Sequence, residues 1–157
     1  MTDDSFMQLA IQNAREAIKA GQLPIGCVLA RDGKLVLSAH NTVWRDTDPT
    51  AHAEMNAVRQ AARMLGTIAL RGCSIFVTLE PCPMCLSACH WAKLERIVYG
   101  APIAAAVTAG FNELTIPATD MVKRGGSNLK VEPYLPAHEA CLSLFAEWQA
   151  AGLSKPY

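Results

Sequence analysis

Apolar residues recur at helical spacing from the start of the chain. Phe6, Leu9, Ala10, Ala14, Ala17 and Ile18 follow Asp3, Asp4 and Ser5, and Gly21 supplies a stop, so an opening helix is predicted. The pattern then changes. GCVLARDGKLVLSAHN reads as two β-rich runs broken at Arg31-Asp32-Gly33, where the Asp-Gly pair is a strong hairpin signal. Helical spacing returns over residues 51–65 with Met55, Val58, Ala62 and Leu65, and Gly66 can end that helix. A β-rich run at 73–80, a helical one at 83–93 and a strand at 96–102 follow in the order of a right-handed parallel crossover. Past residue 102 the pattern weakens, although SNLKVEPYL suggests a late strand, and Cys141, Leu144, Phe145 and Trp148 mark a final helix. Helices covering one mixed sheet is the α/β arrangement this order predicts.

Composition narrows the class. A chain of 157 residues without repeat, linker or low-complexity tract reads as a single domain over 1–157. Half its residues are hydrophobic, 18% are charged and the formal net charge is zero, which fits a soluble globular protein and disfavours a nucleic-acid partner. The start, MTDDSFMQLAIQ, is acidic and lacks the features of a signal peptide, and no stretch reaches the ~18 apolar residues of a membrane span. A cytoplasmic protein with no membrane contact is expected.

Six cysteines in such a chain point to a metal site or to buried thiols before disulfides. Cys27, Cys73 and Cys141 lie in apolar runs and are expected in the core. Cys82 and Cys85, in PCPMC, stand three apart where a strand gives way to a helix, with Pro83 suited to its first position. Both sulfurs then sit on the helix's first turn, where the positive end of its dipole favours thiolates.

His52 and Glu54 open the other helix. Two residues apart, they diverge if they point sideways from the middle of a helix, but they converge if its N-terminus faces the metal, with Asp48 or Thr50 as the cap. One His and two Cys are three protein ligands, which for Zn2+ leaves a fourth position for water, as in catalytic sites. Glu54 is left to move protons. The competing arrangement is a closed structural site that recruits Cys89 or His90.

Together, HAE at 52–54 and PCPMC at 81–85 resemble the signature of the zinc-dependent cytidine deaminase-like superfamily, H-x-E followed by P-C-x-x-C. The resemblance runs from Pro24-Ile25-Gly26 and His40-Asn41 to about Gly110, and it implies a three-layer α/β/α sandwich with a mixed five-stranded sheet. DPTAHAE, TLEPCPMC, the Trp of HWAKLERIVYG, the AGFNE run and FAEW with SKPY are similar to the bacterial guanine deaminase branch. That branch implies His52, Cys82 and Cys85 on zinc and Glu54 as the catalytic carboxylate. It also implies Glu113 as a second carboxylate, with Asn41, Ile25, Gly26, Ala53, Trp91 and Tyr157 around a nucleobase. It further implies a homodimer in which the C-terminal segment, about 130–157, is exchanged, so that Glu113 and Tyr157 could serve either their own site or a partner's. Two departures stand out: Ile25 replaces a phenylalanine, and Asn112 replaces an acid common in that branch.

The reaction so implied is hydrolytic deamination of an amino-substituted ring, guanine to xanthine and ammonia foremost. A tRNA-specific adenosine deaminase shares HAE and PCxxC, but the neutral charge and the lack of an arginine-rich C-terminal helix count against it. A cytosine-type base deaminase is a further alternative. A non-enzymatic zinc module leaves Glu54 and the open coordination position unexplained.

Overall fold

The hairpin forms where the Asp-Gly pair predicts it. In the computed structural model, which describes residues 1–153 and 155–157, β1 (Gly26–Arg31) and β2 (Lys34–His40) pair antiparallel with Arg31 opposite Lys34. Asp32 and Gly33 both have positive φ, 51° and 68°, as a two-residue type I′ turn demands. β1 pairs antiparallel with β3 (Cys73–Leu79), β3 parallel with β4 (Arg96–Ala101), and β4 parallel with β5 (Lys130–Pro133). The order β2-β1-β3-β4-β5 is the expected mixed five-stranded sheet.

Helices cover both faces. In chain order they are α1 (Asp3–Lys19), α2 (Val43–Asp46), α3 (Ala53–Leu65), α4 (Pro83–Trp91), α5 (Ile103–Thr108), α6 (Ala118–Arg124) and α7 (His138–Ala151). Helices α1 and α7 pack together on one face, and α3 and α4 pack together on the other, which makes three layers. β1, β3 and β4 therefore read as nearly continuous buried runs, among them Cys27 to Ala30 and Ile75 to Leu79. Cys73 and Cys141 are buried core thiols, as is Cys27. No helix among the described residues is long and apolar enough to cross a membrane.

Some of the architecture departs from the pattern-based expectation. α2, α5 and α6 have only four, six and seven residues, too short for a 3.6-residue period to stand out. The late strand is confined to Lys130–Pro133, inside the longer SNLKVEPYL run. Because β3 runs into α4 and β4 lies parallel beside it, the carboxyl end of β3 and the start of α4 come to one edge of the sheet. Ligand sites in open α/β sheets form at that edge.

Candidate active site

Two helix starts meet at this edge. His52 is the N-cap of α3, with extended backbone (φ −64°, ψ 158°), and Cys82 is the N-cap of α4, with nearly the same angles (φ −64°, ψ 164°). Pro83 occupies the first turn of α4, where its missing N–H costs nothing. The expectation that Asp48 or Thr50 caps α3 is corrected here. Asp48 Oδ1 accepts instead from Thr50 N (2.8 Å) and Thr50 Oγ1 (2.7 Å), closing a local turn before the helix begins. That turn delivers His52 to the cap position, and Glu54 follows in the first turn of α3.

The donor atoms fit one zinc ion. His52 Nδ1 lies 3.7 Å from Cys82 Sγ and 3.5 Å from Cys85 Sγ, and the three ligand atoms all lie within 4.8 Å of one another. Tetrahedral bonds of about 2.3 Å to sulfur and about 2.0–2.1 Å to nitrogen place an N and an S ligand about 3.6 Å apart. The observed spacings bracket that value. Neither Cys89 nor His90 belongs to the cluster: Cys89 is buried a turn further along α4, and His90 is bonded through Nδ1 to Ser127 Oγ at 2.8 Å. The closed structural site is thus not formed among the described residues.

Proton positions favour metal binding. Tyr157 donates its O–H to the Pro49 carbonyl (3.3 Å), so its oxygen is free to accept from His52 Nε2–H. A proton on Nε2 leaves Nδ1 bare towards the sulfurs. A hydrogen bond from the Cys85 thiol, opposed by burial and aided by His52, pulls the Cys82 thiol down to about 4. Cys82 is therefore a thiolate at neutral pH, ready for a cation.

Glu54 stands beside the cluster without joining it. It is buried at 4% exposure, and burial, reinforced by the Cys82 thiolate, lifts its carboxyl to about 7. A carboxyl poised there takes up and gives back a proton near neutral pH. Glu113 is half-buried, and its carboxyl is also raised by burial.

A cavity of about 100 Å³ opens at the metal cluster, lined by Leu23, Ile25, Asn41, His52, Phe111, Asn112, Glu113 and Tyr157. A larger groove of about 550 Å³ near Arg71, Lys93 and Lys130 contains none of the three metal-cluster residues, whereas the smaller cavity includes His52. Asn41 is fully buried, and its Oδ1 accepts from Val43 N at 3.1 Å. That bond fixes the amide's orientation. Its Nδ2 is the one buried side-chain polar atom without a partner among the described residues.

Three expected residues stand elsewhere. Trp91, expected to line the pocket, is 78% exposed at the far end of α4, because nine helical residues carry it roughly 12 Å from the Cys82 end. Gly26 is absent from the cavity wall for a packing reason: its N–H donates to Thr78 Oγ1 (3.2 Å), and a Cβ there would lie 2.3 Å from Ala14 N in α1. Ala53 is buried as the first residue of α3 and does not line the cavity either. Leu23 and Phe111 line it without having been singled out in the sequence, since apolar residues of loops carry no periodic signal.

The C-terminal residues close over the cavity of their own chain. Trp44 Nε1 donates to the Lys155 carbonyl (3.1 Å), and Asn112 N donates to a Tyr157 carbonyl oxygen (3.3 Å). Ser154, in the SKPY tail, lies outside the described residues.

Comparison with known proteins joins this geometry to a reaction class. Residues 1–101 match the model of the cytidine and deoxycytidylate deaminase zinc-binding region. The chain belongs to that family. Over 101 residues, 64% of this chain and 67% of the relative, this deaminase is 40% identical to a tRNA-specific adenosine deaminase of Aquifex aeolicus. Over 114 residues, 72% of this chain and 73% of the relative, it is 39% identical to a guanine deaminase of Bacillus subtilis. A structure from work on A-to-I editing by tRNA:A34 deaminases superposes with a TM-score of 0.76 at 30% identity, covering 90% of this chain and 99% of the other. The deaminase is thus a zinc-type hydrolytic enzyme with a cytidine deaminase-like fold, while relatives of two substrate classes stand at similar identity. The charge-based expectation that nucleic acid is no partner finds no support among these relatives.

Proposed function

We propose that the protein hydrolyses the amino group of a free nucleobase, guanine or a similar ring, with His52, Cys82 and Cys85 as the zinc ligands. Bound zinc supplies Lewis-acid activation, lowering the pKa of a water towards about 7. Glu54 accepts a proton from the attacking water as its oxygen adds to the amino-bearing carbon. The same carboxyl passes protons to a ring nitrogen and to the amine, the C–N bond breaks, and ammonia leaves. Asn41 Nδ2 donates to a ring or carbonyl acceptor of the base, and Glu113 receives a ring N–H. Ile25 offers an apolar face to the ring.

The observation that carries this reading is the unpartnered, buried Nδ2 of Asn41, a residue that lines, with Tyr157, a cavity of about 100 Å³. A buried donor without a partner costs roughly 1–3 kcal/mol, which a ligand acceptor restores. A small roofed cavity suits a free base better than a looped-out nucleotide on a polymer. The second reading, deamination of adenosine in tRNA, is favoured by relatives of that kind at similar identity. In the proposed reading the enzyme is cytoplasmic and homodimeric, and residues 130–157 serve either their own site or, exchanged, the partner's.

Ammonia release from guanine, adenine, cytosine, their nucleosides and an anticodon-loop RNA separates the readings. Turnover of guanine above the nucleosides and RNA is expected; turnover confined to RNA would replace the base reading with the tRNA one.

A further inference from the structure

We propose that Glu80 is a positioning residue that holds the substrate loop, residues 109–117, in register with the zinc ligands. Glu80 is a buried carboxylate, 6% exposed, two residues before Cys82. Its Oε2 accepts from Ile103 N at 3.0 Å, the first residue of α5, and its Oε1 accepts from Ala118 N at 2.8 Å, the first residue of α6. Both helices begin after a proline, Pro102 and Pro117, and neither has a side-chain cap of its own. Helix starts leave backbone N–H groups without intrahelical partners and favour a negative charge. One carboxylate therefore caps two helices.

The segment between those helices carries Phe111, Asn112 and Glu113 to the cavity. The span from Ile103 to Ala118, which contains α5 and that segment, is held at its two ends by one side chain whose own backbone leads directly into Cys82. Glu80 N also donates to Ala101 O at 2.7 Å, which fixes the strap between the ends of β3 and β4. Through Glu80, the place of Glu113 is set relative to Cys82. The role given to Glu113 rests on the base-deaminase reading; the pinning of the loop does not.

The test uses the zinc-loaded full chain carrying Glu80→Gln. An amide keeps one acceptor oxygen and turns a donor group towards the other backbone N–H, so one of the two caps is lost. Expected are one retained zinc, amide exchange across 109–117 faster by about tenfold, and a KM raised about tenfold with a smaller change in kcat. Glu113→Ala should then cost less in the Glu80→Gln background than in the wild type, because a misplaced carboxylate has less to lose. Pro117→Ser, which gives α6 its own cap, should restore part of the protection.

Unchanged exchange across 109–117 overturns the proposal, and so does an equal Glu113→Ala penalty in both backgrounds. Should Glu80→Gln fail to fold, recovery of the fold by added Pro117→Ser is expected, and failure to recover overturns it equally. If no base is turned over even by the wild type, the base reading falls while the exchange measurement still decides the role of Glu80.

Discussion

His52 Nδ1 lies 3.5 Å from Cys85 Sγ although 33 residues separate them in the chain. The proximity arises because α3 and α4 point their starts at the same spot, so that a cap residue of one helix meets the first turn of the other. Removing either sulfur should leave two ligands and abolish tight binding. Metal analysis of purified Cys82→Ala and Cys85→Ala is expected to find far less than one zinc per chain, and Cys89→Ala to keep one. A full complement in Cys82→Ala would remove it from the ligand set.

Asn41 offers a second lever, because its two amide atoms have separate duties. Asn41→Asp keeps the acceptor that holds Val43 N but deletes the unpartnered buried donor that the proposal gives to the base. Loss of one buried hydrogen bond to the base is worth about 1–3 kcal/mol, so KM should rise about tenfold or more while zinc content stays at one. An unaltered KM would show that the base does not use Nδ2.

Acid stability carries a mark of the short helix α2. The Arg45 guanidinium, with help from Thr42, holds the Asp46 carboxyl down to about 2. A depressed carboxyl stabilises the fold above the unfolded value near 3.8 and loses that contribution as pH falls towards 2. Urea midpoints of Asp46→Asn should therefore fall below the wild type at pH 6 and converge with it near pH 2. The gap is expected to be small because the pair is exposed. A constant gap at both pH values would contradict this origin.

The sequence was most legible where one rule governed a residue. Asp32-Gly33 turned the chain because both positions demand positive φ, and Pro83 took the first turn of α4 because that position has no use for an N–H. HxE and PCxxC were legible as one centre because zinc chemistry restricts both residue type and spacing. The cap of α3 was misassigned because Asp48, a strong capping type, accepts from Thr50 instead. Trp91 stands away from the cavity of its own chain at the end of α4, since a helix position says nothing of distance along the axis until the helix is anchored. Glu80 escaped notice because its two partners, Ile103 and Ala118, belong to short helices whose starts the pattern does not reveal.

The division of labour proposed for His52, as a ligand of the metal, and Glu54, as the carrier of protons, is tested most directly by Glu54→Gln. The amide preserves shape and cannot shuttle a proton, and the carboxyl it replaces lies outside the ligand cluster. Zinc content and ammonia release are measured together on the best substrate of the wild-type protein. One zinc per chain with ammonia release lowered by about a hundredfold or more is the predicted result. Substantial turnover by the zinc-loaded variant, or loss of the metal from it, would contradict the roles given to these two residues.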